Sequence, residues 1–129
     1  MKGISSKPRR AARKSGDDDY CPDAGDFVWL EFDPQAGHEQ AGRRPALVLT
    51  PRQYNKLTGL CIVCPVTSRI KGFPFEVLIA TDHHPSGAVL SDHLKSLDWA
   101  ARKAQLISRA PPHVLGELRA KLKSLLAIP

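Results

Sequence analysis

At 129 residues, with 42% hydrophobic and 25% charged side chains and a formal net charge of +6, the chain has material for one compact core and too little for two ordinary domains. No apolar run approaches the roughly 20 residues that span a bilayer, the charged start lacks the apolar stretch of a secretory signal, and three cysteines are too few and odd for a disulfide scaffold, so a cytoplasmic protein is expected. The basic balance is split: Lys2, Lys7, Arg9, Arg10, Arg13 and Lys14 against Asp17, Asp18 and Asp19 leave +3 on residues 1–19 and +3 on the remainder, a distribution that attracts a polyanion without saying which.

Residues 1–19 have no apolar periodicity and cannot offset the entropy of ordering, which predicts a disordered basic and acidic tail ahead of a single domain over 20–129. The tail reads as a solvated extension, with a nucleic-acid tether as its functional alternative. A strand is predicted from Asp26 through Phe27–Phe32, stopping at Asp33-Pro34. Further strands are predicted at Ala46–Thr50, Leu60–Val66, Phe75–Ala80 and Ala88–Ser91. Asn55–Gly59, Ile70–Pro74 and His83–Gly87 are turn-like connections of the kind that join antiparallel strands. Ser96–Arg102 reads as a turn or two of helix. Pro111–Leu126 reads as a full helix, with Val114, Leu115, Leu118, Leu122, Leu125 and Leu126 on one stripe and Lys121 and Lys123 suiting its C-terminal dipole. The fold class expected is mainly β with a C-terminal helix, a small and strongly curved antiparallel sheet that closes in part into a barrel.

Between the first two strands lies Gly37-His38-Glu39-Gln40-Ala41-Gly42-Arg43-Arg44-Pro45, which gathers a base candidate, a carboxylate and two guanidinium groups. Arginine presents planar, permanently charged donors that match phosphate oxygens, and the glycines allow close backbone approach. This composition suits phosphate chemistry on RNA. Glu39 is the first candidate for the base that deprotonates a ribose 2′-OH, and Arg44 for the phosphate clamp. Each also has a plainer reading: Arg44 pairs with Glu39 across the loop, and His38 is a solvated loop histidine rather than an acid or base. No glycine-rich phosphate loop of Walker or dinucleotide type occurs, and no cofactor is expected. The Cys61-Ile62-Val63-Cys64 spacing invites a zinc reading, but positions three apart on a strand face opposite sides, so two buried small side chains are the better account. Asp82, His83, His84, Asp92 and His93 match no metal-ligand spacing.

Read as a whole, the ordered motifs identify a resemblance. Tyr20-Cys21-Pro22-Asp23-Ala24-Gly25-Asp26, Trp29-Leu30-Glu31-Phe32-Asp33-Pro34 and Glu39–Pro45 are followed by Pro65-Val66-Thr67-Ser68, Lys71–Val77 and Ser91–Trp99. In that order and spacing the chain resembles the MazF/PemK family of toxins from toxin–antitoxin modules, over nearly all of its length after the tail.

That resemblance implies an SH3-like partly closed barrel of the MazF/PemK/CcdB type and a homodimer. It also implies a sequence-specific, metal-independent endoribonuclease that cuts single-stranded mRNA to 2′,3′-cyclic phosphate and 5′-OH ends, and a MazE-like antitoxin whose disordered acidic segment blocks the RNA groove. It marks Glu39, Arg44 and Thr67 as catalytic positions, Thr67 as a hydroxyl donor to the phosphoryl oxygen; without the family motif, Thr67 would be read as an ordinary strand-end threonine. His38 and Asp92 are the further acid/base candidates. PemK-like members have an arginine two residues before the aspartate that Asp92 matches, and here that position holds Leu90, which shifts the weight onto Arg44. RNA contacts are expected from Gln40, Arg43, Ser68, Arg69 and Lys71, with Arg43 equally able to face solvent. Phe73 and Trp99 are expected to be buried, although aromatic faces also stack on unpaired bases. A CcdB-like non-catalytic gyrase poison and a non-catalytic RNA-binding module are the alternatives.

Overall fold

The computed structural model of the protein describes residues 19–32 and 42–129. Residues 1–18 of the expected tail, and the stretch 33–41 with His38, Glu39 and Gln40, lie outside the described residues. Among the described residues, seven strands and two helices follow in order: β1 (Asp26–Phe32), β2 (Gly42–Val48), α1 (Arg52–Thr58), β3 (Leu60–Thr67), β4 (Glu76–Ile79), β5 (Gly87–Leu90), a 3-10 turn at Ser91–His93, β6 (Lys95–Asp98), β7 (Gln105–Arg109) and α2 (Pro112–Leu125).

The strands form one antiparallel sheet in the order β4-β5-β3-β2-β1-β7, with β6 attached to β3. β3 is the hub. Its Leu60–Val63 half pairs with β6, Val63–Pro65 with β2, and Val66–Thr67 with β5. A strand that changes partner along its length must twist away from the first as it joins the next, and this bends the sheet into an open half-barrel.

Alternation along the strands sorts the core into two layers. Val28, Leu30, Ala46, Val48, Cys61 and Val63 pack with Leu97 and Trp99 on one face. Phe27, Leu47, Cys64, Val66, Val77 and Val89 pack with Val114, Leu118 and Leu122 of α2 on the other. Cys61 and Cys64 therefore belong to different layers, as their spacing predicts, and both are fully buried free thiols. Burial pushes each thiol up to about 12. Since the thiolate is the reactive species, neither should be alkylated by iodoacetamide at pH 8 in the native protein, while both should label in denaturant. Mass-spectrometric detection of rapid native labelling at either position would contradict this packing.

Two buried polar side chains hold the N-terminal segment in place. The Asp26 carboxylate accepts the Tyr20 hydroxyl at 2.6 Å, the Asp23 amide at 3.0 Å and Arg109 Nη1 at 2.6 Å, joining the entry to β1 to the end of β7. Asn55, wholly enclosed, donates to the carbonyls of Pro22 and Thr50 and accepts the Thr50 hydroxyl, and its own carbonyl takes the Trp99 indole N–H at 2.9 Å. Satisfying every polar atom in this way is what allows an amide to sit in the core.

Several elements differ from the sequence reading. Ser96–Arg102 is not helical: Lys95–Asp98 forms β6, because the Leu60–Val63 half of β3 offers a ladder to it, and only then do tight turns follow, with Asp98 Oδ1 accepting the Ala101 amide. Asn55–Gly59, read as a turn-like connection, is instead mostly the second half of α1 (Arg52–Thr58); the tertiary bonds of Asn55 support the helix, and Gly59 at φ +77° ends it. β7, partly exposed and only five residues long, carries little hydrophobic signal and exists because β1 needs a partner on its outer edge. β2 begins at Gly42 rather than Ala46, so Arg43, Arg44 and Pro45 stand on a strand and not in a loop. On α2, Val114, Leu118 and Leu122 are buried but Leu125 and Leu126 are half-exposed, the stripe outrunning the sheet beneath it. Among the described residues, no helix is long and apolar enough to cross a membrane.

Candidate active site

A cleft of about 800 Å³ opens where β2 and β3 part, lined by Arg44, Thr67, Ser68, Arg69, Lys71, Phe73, Phe75, Glu76, Leu90, Asp92 and His93. Strand alternation explains its two principal residues. Arg44 is in phase with Ala46 and Val48, and Thr67 with Cys61 and Val63, all of which share one face of the sheet. The register Ala46↔Pro65, Leu47↔Cys64, Val48↔Val63, carried two residues further, sets Arg44 level with Thr67. One residue out of phase, Arg43 points the other way. Its guanidinium donates to Gln105 Oε1 at 2.9 Å and to the Lys103 carbonyl at 3.3 Å, and lies 3.9 Å from Glu31. Arg43 thus is not among the residues that line this cleft.

The wall after β3 is held rigidly by groups that motif reasoning passed over. Buried Glu76 accepts the amides of Lys71 at 3.1 and 3.2 Å and of Gly72 at 2.9 Å. Ser91 donates through both its hydroxyl, at 2.6 Å, and its amide, at 3.2 Å, to the Phe75 carbonyl. From α2, Lys121 Nζ donates to the Pro74 carbonyl at 2.5 Å. Arg69 and Lys71 are thereby presented on a fixed loop, so little ordering entropy remains to be lost when a ligand binds.

The Thr67 hydroxyl accepts the Arg69 amide at 3.1 Å. One lone pair is committed to that bond and the hydroxyl hydrogen remains to be donated into the cleft. Thr67 therefore closes a local turn and also lines the cleft. Behind it, Gly87 at φ +110° packs so closely that a Cβ would stand 2.1 Å from the Thr67 carbonyl oxygen.

Phe73 corrects an expectation. It is half-exposed and stacks on Phe75, with ring centroids 5.2 Å apart and planes at 26°. Trp99, in contrast, is fully buried. Asp92 and His93, side by side on the 3-10 turn, both reach the cleft, with His93 Nε2 3.8 Å from Asp92 Oδ1. His83 is elsewhere, its ring tilted against Phe27 at 5.5 Å. Among the described residues, no three His, Cys, Asp or Glu side chains converge as metal ligands. Ser91 and His93 stand within the Ser91–Trp99 motif and Glu76 within Lys71–Val77, but beyond the metal cluster weighed for His93 none of the three was given a site role from sequence.

A half-barrel whose parted strands present a guanidinium and a hydroxyl beside a basic loop and an aromatic shelf is a small β-protein with a cleft chemically suited to a phosphate-bearing chain. The model of the PemK-like, MazF-like toxins of type II toxin–antitoxin systems matches residues 23–126, and the chain belongs to this family. It is 44% identical over 107 residues to the endoribonuclease toxin MazF of Escherichia coli K12, an alignment covering 83% of this chain and 96% of that one. Its fold is similar to the crystal structure of MazF from Deinococcus radiodurans, with a TM-score of 0.81 and 60% identity over 85% of this chain and 100% of that one. A MazE–MazF structure from the same organism gives a TM-score of 0.78 with 59% identity, covering 86% of this chain and 100% of the matched chain.

Proposed function

We propose that this protein is the toxin of a toxin–antitoxin module and acts as a sequence-specific endoribonuclease on single-stranded mRNA in the cytoplasm, halting translation and growth. The observation that carries this reading is the shared cleft of Arg44 and Thr67. A phosphodiester seated between them meets a planar cation and a hydroxyl donor, and preorganised donors of this kind contribute about 3–4 kcal/mol each to a transition state that gathers charge on phosphoryl oxygens. The 2′-OH attacks phosphorus, the P–O5′ bond breaks, and the products are a 2′,3′-cyclic phosphate and a 5′-OH. No metal ion is needed for this intramolecular displacement. Glu39 is assigned as the base that takes the 2′ proton.

Arg69 and Lys71 track flanking phosphates, and Phe73 on Phe75 offers a face for an unpaired base, an interaction worth about 1–3 kcal/mol. Gln40 and Ser68 complete the expected RNA contacts. The MazE–MazF structure supports a MazE-like antitoxin as partner, and we further propose a homodimer and an acidic antitoxin segment that competes for the basic cleft. A gyrase poison would have no use for a guanidinium and a hydroxyl lining one basic cleft, and this reading is not favoured.

The test is incubation of the purified protein with a long unstructured RNA in EDTA, followed by sequencing of the new 5′ ends. Discrete cuts at one short motif are expected, weakening as salt rises. RNA retained intact would point to a binding module, and gyrase trapped on DNA would support the poison.

A further inference from the structure

We propose that His93 is the general acid of the cleavage, protonating the leaving 5′-oxygen in the cleft shared by Arg44 and Thr67. The proposal rests on the endoribonuclease reading and supplies the proton donor that Arg44 cannot be. Guanidinium and ammonium groups hold their protons too tightly for this task, and carboxylates release theirs too readily. Among the described residues lining the cleft, His93 is the one imidazole, the side-chain type suited to giving up a proton near neutrality.

Its setting fits that role. His93 stands on the Ser91–His93 turn, which the two Ser91 bonds to the Phe75 carbonyl anchor and which packs against β3 and α2. Its side chain is 21% exposed, open to the cleft yet largely enclosed. The charged groups around it come from every wall. Asp92 adjoins it on its own turn at 3.8 Å. Arg44 faces the cleft from β2, and Arg69 and Lys71 face it from the loop. Glu76 lies at its base, with its carboxylate engaged by the Lys71 and Gly72 amides. On α2, the Lys121–Glu117 pair at 3.9 Å adjoins the same loop through the Pro74 carbonyl.

In the step, the 2′-oxygen forms its bond to phosphorus as its proton passes to Glu39. The P–O5′ bond breaks with its electron pair on O5′, and a ring N–H proton of His93 moves to that oxygen. Neutral His93 then recovers a proton from water.

The full-length protein and its His93→Ala and His93→Gln variants should be assayed in EDTA on a short RNA carrying the mapped cut site. A second RNA replaces the bridging 5′-oxygen at that site with sulfur, whose thiolate leaves without protonation. His93→Ala is expected to lose about 100-fold in kcat on the oxygen ester with KM nearly unchanged, and to match wild type on the sulfur ester. His93→Gln gives the same split should the alanine variant fold poorly. Wild-type rates on the oxygen ester, or equal losses on both esters, overturn the assignment, as does an oxygen-only defect appearing in His38→Ala and not in the His93 variants. If the wild-type protein cuts neither RNA, the endoribonuclease reading itself fails.

Discussion

Arg44→Ala is expected to lower kcat on a cognate RNA by about 100- to 1,000-fold while leaving the urea midpoint close to wild type. The loss falls on kcat because the guanidinium meets charge that develops as phosphorus becomes pentacoordinate, and an interaction made only in the transition state leaves KM little changed. Stability is spared because the side chain stands at the open end of β2, half-buried at the rim and not within either core layer. Arg44→Lys should restore only part of the rate, since a point charge cannot reproduce two parallel N–H bonds to phosphate. The decisive control is the neighbouring arginine. Arg43 spends its donors on Lys103 and Gln105 on the opposite face, so Arg43→Ala should change kcat by no more than about threefold. A larger loss from Arg43→Ala than from Arg44→Ala would place the phosphate on the wrong side of β2 and sink the proposed site.

Gly87→Ala should destabilise the protein by about 2–4 kcal/mol and disable cleavage in the fraction that remains folded. Two penalties combine. The backbone at φ +110° is one that an L side chain rarely adopts, and the added methyl would meet the Thr67 carbonyl oxygen at 2.1 Å and the Ser68 Cα at 3.1 Å. Those neighbours are main chain, so no rotamer change relieves the clash. β5 must instead move off β3, and their pairing consists of Val66↔Val89 and Thr67↔Ala88. Displacing Thr67 moves its hydroxyl out of line with Arg44, and misplacement by about 1 Å is enough to cost about 100-fold in rate. Urea denaturation read beside single-turnover cleavage separates the two effects. Wild-type values for both would show that the close approach is not real. Thr67→Ser, which keeps the hydroxyl, should preserve most of the activity, and Thr67→Val should not.

Much of this fold could be read from residue order. Aromatic and β-branched runs marked β1, β3, β4 and β5 to within about two residues, and the apolar stripe with Pro at its start marked α2, since side-chain alternation and helical periodicity are local properties. The elements that were missed share a different origin. α1 depends on Asn55 bonding to Pro22 and Thr50, β6 on the free half of β3, and β7 on the outer edge of β1. In each, the deciding partner is distant in sequence. The same division runs through the site. Arg44 and Thr67 were legible because they sit in recognisable motifs. The supporting roles of Glu76, Ser91 and Gly87 were not, although Glu76 and Ser91 stand within such motifs, because holding a loop or permitting a close strand approach leaves no signature in residue type.

The order of residues alone determined the family, the core-facing positions and the chemical types available for phosphate chemistry, because burial pattern and functional-group identity are carried residue by residue. Only the tertiary structure decided which of two adjacent arginines faces the cleft, that Phe73 is an open shelf while Trp99 is sealed in the core, and that His93 joins Arg44 and Thr67. The choice of arginine depends on the phase of β2 relative to β3, where a shift of one residue would exchange Arg43 and Arg44 between faces, and the placing of Phe73, Trp99 and His93 depends on how the segments after β3 fold back on the sheet.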